Sequence, residues 1–158
     1  MKIPFLDLTR LHHLQSNELN KILEVTLLNE QLLSGKSVKE FEVAFANYLD
    51  TRYCISCGNG TDALEIILRS MGIGSGDEVI VPANGWLSAA EMVKLVHATP
   101  VFADTHESNY TLDPKRIEAS ISPNTKAIIP IHLYGHPADM PAIIEIAKKY
   151  KLLVIEDC

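Results

Sequence analysis

GNGTDALEIILRSMGIGSGDEVIVPANGW, residues 58 to 86, is the stretch that decides the fold. After its glycine-rich turn, apolar residues recur at helical spacing: Leu64, Ile67, Leu68 and Met71. Glycines at positions 72 and 74 are typical of a helix end. The apolar run from Glu78 to Val81 then predicts a buried strand. A helix joined by a short turn to a buried strand is the repeating unit of a mostly parallel α/β sheet.

The same alternation continues on both sides of this stretch. Further helices are predicted over residues 11–28, 38–49, 89–96, 114–120 and 140–150. Further strands are predicted over residues 53–56, 101–103, 127–131 and 152–155. Ser37-Val38-Lys39-Glu40 reads as a capping box, and Asp113 and Asp139 read as helix N-caps. We therefore expect an α/β fold with three layers, α/β/α.

Composition and charge exclude several classes of protein. Apolar residues make up 47% of the 158 residues and charged residues 22%, which is typical of a globular protein with a buried core. No stretch approaches the roughly 20 apolar residues that span a bilayer, and the first ten residues lack the apolar core of a signal peptide. The net charge of −6 argues against general nucleic-acid binding. The sequence predicts a cytoplasmic protein without nucleic-acid or membrane partners.

Cys54 and Cys57 form a C-x-x-C, and Cys158 makes the cysteine count odd. The pair could serve as a redox dithiol or as half of a zinc site, but no second ligand pair follows at zinc spacing. A thiol-redox domain therefore stays open as a minor alternative. The favoured interpretation is that these are small apolar residues beside a buried strand, and no metal site is expected.

The glycine loop is the first candidate site. Gly58 and Gly60 allow a tight turn, and the amides of Thr61 and Asp62 would open the next helix. Unpaired amides at a helix N-terminus form a natural phosphate site, although such a turn often needs glycine for geometry alone. The loop is neither G-x-G-x-x-G nor G-x-x-x-x-G-K-[ST], so a dinucleotide site or a P-loop is not supported.

Three more side chains follow predicted strands, where ligands collect in an open parallel sheet. Trp86, the only tryptophan, could stack on a flat ligand or simply fill core volume. Asp157 ends a buried strand and needs a partner, which could be a protonated ring nitrogen, an arginine or a helix amide. His132 is interpreted as a hydrogen-bonded structural histidine.

Five blocks, in this order, resemble the DegT/StrS family of nucleotide-sugar aminotransferases, which use pyridoxal 5'-phosphate (PLP). They are PFLDL, the stretch quoted above, TPVFADTHESNYTLDP, TKAIIPIHLYGHPADM and VIEDC, and they run from Pro4 to Cys158. The resemblance implies the N-terminal part of the large domain of PLP-dependent transferase fold type I, the aspartate-aminotransferase-like fold. Residues 1–35 would be an N-terminal arm and helix, and residues 36–158 an incomplete PLP-binding domain without the small C-terminal domain.

The resemblance also implies a cofactor site and an activity. Gly60, Thr61 and Asp62 would hold the cofactor phosphate, Trp86 would stack on its pyridine ring, and Asp157 would pair with the ring nitrogen. The reaction would move an amino group from an amino acid, glutamate, to a keto sugar linked to a nucleotide. The full-length enzyme would be a homodimer that serves polysaccharide or antibiotic biosynthesis.

The sequence departs from the family at the catalytic lysine. The Schiff-base lysine belongs to a segment downstream of Asp157, so no catalytic residue is predicted in this chain, and the chain alone is expected to be inactive. Two alternatives to amino transfer stay open: a sugar dehydratase of the same fold, in which histidine replaces the lysine, and a non-catalytic remnant domain.

Overall fold

The computed structural model describes residues 3–28, 33 and 35–158 of the chain. Its helices are α1 (Thr9–Leu28), α2 (Lys36–Tyr48), α3 (Gly60–Ser70), α4 (Ser88–Leu95), α5 (Pro114–Ala119) and α6 (Met140–Tyr150). Its strands are β1 (Glu78–Pro82), β2 (Thr99–Ala103), β3 (Thr125–Ile128) and β4 (Leu153–Val154). A 3-10 turn spans Leu133–Gly135.

The four strands form one sheet in the order β2-β1-β3-β4. All three neighbouring pairs are parallel, with Ile80 opposite both Val101 and Ile128. Each crossover between parallel neighbours carries a helix, as a parallel connection requires. The predicted α/β class is confirmed.

Alternate residues of β1 point into two separate cores. Val79 and Val81 pack with the buried faces of α3 and α4, including Leu68. Ile80 packs on the other side with α5 and α6, including Ile117 and Ile143. Because side chains alternate across a strand, one short apolar run supplies both cores. The predicted three-layer arrangement is therefore confirmed.

Two of the three predicted caps are present. The side chains of Asp113 and Asp139 accept hydrogen bonds from the amides of Lys115 (2.9 Å) and Ala142 (3.3 Å). The capping box at Ser37 is wrong, because α2 begins at Lys36, two residues before the predicted start, with Gly35 as its N-cap and no side-chain cap bond.

The predicted strand over residues 53–56 is also wrong. In the described part of the chain this segment is not paired with a strand, and Ile55 is 83% exposed. The amide and the hydroxyl of Ser56 instead donate to the Glu42 carboxylate, at 2.9 and 2.7 Å. A β-branched run becomes a strand only where a neighbouring strand accepts its backbone hydrogen bonds.

The chain divides into two compact units, with the division after Ser56. In the first unit α1 has no buried residue and α2 buries only Ala46. The second unit, from Cys57 onwards, contains the sheet and both cores. The domain boundary expected at residue 36 stays a prediction. Within the described residues, none of the helices is both long and apolar enough to cross a membrane.

Candidate functional site

The carboxyl ends of the four strands face one edge of the sheet, because all the strands are parallel. The loops that leave this edge contain Trp86 after β1, Tyr110 after β2, His132 after β3 and Asp157 after β4. This is the edge where open α/β sheets bind ligands.

The glycine loop offers two unpaired amides at the start of α3. Asn59 is the N-cap, and its side-chain oxygen accepts from the Asp62 amide at 2.9 Å. The Asp62 amide therefore has an acceptor, contrary to the expectation that it is free. Within the described chain no acceptor is found for the amides of Gly60 and Thr61, and a side chain added at Gly60 would meet no atom within 4 Å. Amides without an acceptor at the positive end of a helix dipole favour an anion.

The acidic side chain of Asp62 is held inside the loop itself. Its carboxylate accepts from the side-chain amide of Asn59 at 3.1 Å. It also lies so close to Gly58 that a Cβ at that position would collide with it. A side chain at position 58 would therefore displace the Asp62 carboxylate from its present position.

Thr61 connects the first turns of two helices. Its hydroxyl lies 3.3 Å from the hydroxyl of Ser88, the first residue of α4, and Ser88 is buried. Since α4 follows β1 at the carboxyl edge, this contact brings the N-terminus of α3 to the same edge. Sequence reasoning missed Ser88, because a contact across 27 residues leaves no local pattern.

Trp86 is not a core residue. Its side chain is 79% exposed and lines a groove of about 530 Å³ together with residues from the loops after β2 and β3. Its loop packs closely on the segment after β3, because a Cβ at Gly85 would come within 2.8 Å of the Ile131 side chain. The exposed indole is therefore available to stack on a ligand.

Asp157 continues the pairing of β4 with β3 at the same edge. Its amide donates to the Pro130 carbonyl at 3.0 Å, and its carbonyl accepts from the His132 amide at 2.9 Å. The residue is half-buried, and among the described residues no cation lies within ion-pair distance of its carboxylate. A partly desolvated carboxylate of this kind favours a cationic partner.

His132 has hydrogen bonds at both ring nitrogens. Nδ1 accepts from the amide of buried Ala138 at 3.1 Å, which assigns the ring proton to Nε2, and Nε2 lies 3.0 Å from the Glu156 carboxylate. These contacts agree with a structural role in which His132 ties the loop after β3 to the end of β4.

Cys54, Cys57 and Cys158 are free thiols, and burial together with the carboxylates of Glu156 and Asp157 raises the pKa of Cys158.

Most lysines of the second unit lie away from this edge. Lys94 and Lys148 are in the last turns of α4 and α6, which lead to the beginnings of strands, and Lys126 lies in β3. Lys115, which sequence reasoning overlooked, is exposed in the first turn of α5, beside a cleft between α5 and α6. Among the residues that the structure describes, no lysine lines the groove beside Trp86.

The structure thus brings Thr61 to the first turn of α4, and it places Trp86 and Asp157 at the ends of β1 and β4 on the same edge. Gly60 and Asp62 flank Thr61 in the first turn of α3. Their roles toward a cofactor stay predictions. The donor set suits PLP: unpaired amides for a phosphate, an indole for a flat ring and a carboxylate for a protonated ring nitrogen.

Residues 13–158 match the model of the DegT/DnrJ/EryC1/StrS aminotransferase family. The chain belongs to this family. The match covers more than half of the chain and contains every residue of the candidate site.

Two relatives of known activity illustrate the match. The chain is 44% identical to UDP-2-acetamido-2-deoxy-3-oxo-D-glucuronate aminotransferase of Pseudomonas aeruginosa, over 98% of this chain and 43% of that protein. It is 43% identical to dTDP-3-amino-3,6-dideoxy-alpha-D-galactopyranose transaminase of Aneurinibacillus thermoaerophilus, over 99% of this chain and 43% of that protein. The chain therefore spans less than half the length of these relatives.

Two solved structures share the fold. DesV of S. venezuelae in complex with a ketimine intermediate superimposes with a TM-score of 0.95 at 40% identity, covering 99% of this chain and 42% of that one. NtdA of Bacillus subtilis with bound cofactor PMP gives a TM-score of 0.95 at 39% identity, covering 99% and 36%. PLP-dependent transferase fold type I is confirmed, and so is PLP as the cofactor of the family.

Proposed function

We propose that this chain is the cofactor-binding part of a PLP-dependent aminotransferase. The enzyme moves an amino group from an amino acid, glutamate, to a keto sugar linked to a nucleotide. The observation that carries this proposal is the shared edge of the sheet in a member of this family. An exposed indole lies there with two amides and a carboxylate for which the described residues supply no acceptor and no cation.

The start of α3 is proposed to hold the cofactor phosphate. The amides of Gly60 and Thr61 would donate to phosphate oxygens, while the Thr61 hydroxyl donates its one proton to Ser88 and so keeps the turn in place. The N-terminus of α4 adds a second positive helix end beside the same hydroxyl. Asp62 contributes through its place in the turn, since Asn59 already holds its amide and its carboxylate.

Trp86 and Asp157 are proposed to orient the cofactor ring. The indole stacks on the ring face, and the carboxylate keeps a proton on the ring nitrogen by charge attraction. When bound, PLP supplies an electron sink for the carbanion that forms next to nitrogen during amino transfer. His132 acts through Asp157, because its backbone and ring bonds fix the end of β4.

The substrate class is proposed from the relatives, whose names describe aminotransferases of UDP- and dTDP-linked sugars. These names favour amino transfer over the dehydratase alternative. The homodimer and the cytoplasmic location remain part of the proposal. The catalytic lysine is proposed to come from a segment outside this sequence, since no lysine of the described ranges lines the groove at Trp86.

Trp86 fluorescence tests the cofactor assignment directly, because it is the only tryptophan. PLP should quench its emission saturably. Asp157→Asn should raise the Kd for PLP at least about tenfold, since a hydrogen bond to a charged group is worth about 1.5–3 kcal/mol and tenfold is about 1.4 kcal/mol. Asp104→Asn is the matched control, because Asp104 also follows a strand at this edge and its carboxylate accepts from the Thr105 amide.

Equal affinity of the wild-type protein and Asp157→Asn for PLP would contradict the ring-nitrogen role. An absence of quenching in the wild-type chain would contradict the cofactor assignment as a whole. Amination by the 158-residue chain is expected to be undetectable in a glutamate-dependent assay with a nucleotide-linked keto sugar. Turnover in that assay would show that a lysine within this sequence serves the reaction.

A further inference from the structure

Two asparagines of this chain directly precede a glycine: Asn59, just before α3, and Asn84, in the loop after β1. An asparagine in this position can lose its side-chain amide without an enzyme, because the backbone nitrogen of the next residue can attack the side-chain carbonyl carbon. Glycine favours this attack, since no side chain shields its nitrogen and its backbone turns freely. Asparagine is accordingly among the thermolabile residues. The two sites share one reactive dipeptide, and the fold decides between them.

Asn59 is held in place by hydrogen bonds. Its side-chain oxygen accepts from the Asp62 amide at 2.9 Å, and its NH₂ group donates to the Asp62 carboxylate at 3.1 Å. The following residue, Gly60, is already the first residue of α3. Ring closure onto the Gly60 nitrogen would break both hydrogen bonds and remove the helix cap, so the native fold protects this site.

Asn84 is not held in this way. It lies exposed in the loop between β1 and α4, and within the described chain no hydrogen bond of its side chain is found. The part of the chain that the structure describes also supplies no acceptor for the Gly85 amide. The attacking nitrogen and the carbon that it attacks are therefore both unrestrained, and the exposed loop admits water.

We propose that Asn84 is a site of spontaneous deamidation in the folded protein and that Asn59 is not. The Gly85 nitrogen gives up its proton and bonds to the side-chain carbonyl carbon of Asn84, and the side-chain nitrogen leaves as ammonia. Water then opens the resulting cyclic imide at one of its two carbonyl carbons. The products are aspartate and isoaspartate, and in isoaspartate the backbone runs through the former side chain.

This reaction alters the loop that carries Trp86. Either product adds a negative charge to a groove in which no charged residue of the described chain is found. Isoaspartate also lengthens the backbone by one carbon beside Gly85, which packs so closely on Ile131 that a Cβ would come within 2.8 Å of that side chain. The longer backbone displaces this packing and moves the indole. An effect on PLP binding rests on the proposed function, whereas the deamidation itself does not.

Tryptic peptides separate the two sites. Cleavage after Arg52, Arg69 and Lys94 places Asn59 on the peptide 53–69 and Asn84 on the peptide 70–94, and each peptide contains a single asparagine. The 158-residue chain is incubated in mildly alkaline buffer, once folded and once in urea, and both peptides are then analysed by chromatography and mass spectrometry. In the folded chain Asn84 should react at least about tenfold faster than Asn59, whose cap must break first. In urea the two rates should be similar, because the cap is gone.

Asn84→Gln is the matched variant, because it keeps a side-chain amide but would have to close a larger ring. It should abolish the mass change in the peptide 70–94 and leave the peptide 53–69 as in the wild-type chain. Trp86 emission and the Kd for PLP are compared between incubated and fresh samples of each protein. Both should change in the wild-type chain in proportion to its isoaspartate content and stay constant in Asn84→Gln.

Equal rates at the two sites in the folded chain overturn the inference. So does an Asn84 rate in the folded chain that is about tenfold or more below its rate in urea, since the loop would then protect the site. Isoaspartate at position 84 with unchanged Trp86 emission overturns the proposed change in the loop. A changed emission with unchanged PLP affinity counts against the stacking role of Trp86 and leaves the deamidation site established.

Discussion

The helices of the first unit and the helices of the second unit share the same amphipathic spacing but differ in burial. Helix α3, with 11 residues, buries Leu64 and Leu68 against the sheet. Helix α1, with 20 residues, leaves every residue at least partly exposed, including Leu14 at 76% and Leu28 at 75%. In α2, Phe41 and Phe45 stack on each other at 5.4 Å and still remain exposed.

The difference shows that apolar spacing specifies a helix and the side it would bury, but not what covers that side. In the second unit the sheet supplies the cover, because each strand presents side chains to both layers. The described part of the first unit has no sheet. Exposed apolar faces of this extent are typical of surfaces that associate with other protein surfaces.

The largest expected effect is on the core of the second unit. Ile80→Ala should lower the free energy of unfolding by about 2–5 kcal/mol, because Ile80 is fully buried and its removal leaves a cavity. Ile22→Ala in α1 is the matched control and should change it by less than about 0.5 kcal/mol, since that side chain is 56% exposed. Chemical denaturation measures both values, and similar losses in the two variants would break the comparison.

The exposed face of α1 should drive self-association of the chain. Leu11 and Leu14, three residues apart on one helix face, are both at least half exposed. Replacing both with serine should weaken association at least tenfold, because burying one leucine contributes about 1.5–3 kcal/mol. Sedimentation velocity measures this, with Gln15→Ser as the control. A wild-type chain that stays monomeric at all concentrations would contradict the prediction.

His132 should matter for stability within the second unit. His132→Phe removes the acceptor of the buried Ala138 amide and should cost about 1–3 kcal/mol, the typical penalty of an unsatisfied buried donor. His132→Gln, which keeps an acceptor, should recover part of the loss. Thermal unfolding of the three proteins measures the difference. Identical stabilities would show that water replaces the imidazole without penalty.

The smallest expected effect concerns the ion pair between α5 and α6. Lys149 and Tyr150 bond the Glu118 carboxylate and lower its pKa, and Glu118 raises the pKa of Lys149. Because its pKa is lowered in the folded protein, Glu118 stabilises the fold at pH values above 4.5, its unfolded pKa. This stabilisation is lost as the pH falls through the pKa of the folded state. Because the pKa of Lys149 is raised in the folded protein, this lysine stabilises the fold at pH values below 10.5, its unfolded pKa. The stabilisation is lost as the pH rises through the pKa of the folded state.

Lys149→Met should therefore lower the Tm slightly between pH 4.5 and pH 10.5. At a pH below the folded pKa of Glu118, the substitution should leave the Tm unchanged. Lys36→Met, which removes an exposed pair within α2, should have a smaller effect. A Tm difference between the wild-type protein and Lys149→Met that does not change with pH would contradict this account.

Much of the second unit could be predicted from local sequence patterns. The strands predicted from Glu78 and from Val101, the caps at Asp113 and Asp139, and the parallel arrangement all follow from period, turn residues and chain order. Parallel order also places Trp86 and Asp157 at one edge, so the edge that carries the candidate site could be predicted from the sequence.

The sequence by itself determined the helices, most of the strands, the layer order and the edge that carries the candidate site, because these depend on spacing within short segments. Only the tertiary structure decided that residues 53–56 form no strand and that Asn59 occupies the Asp62 amide. It also decided that Thr61 meets Ser88 and that two tyrosines from separate loops flank Trp86. The reason is physical: a strand requires a neighbour, and contacts between distant loops depend on how the whole sheet brings them together.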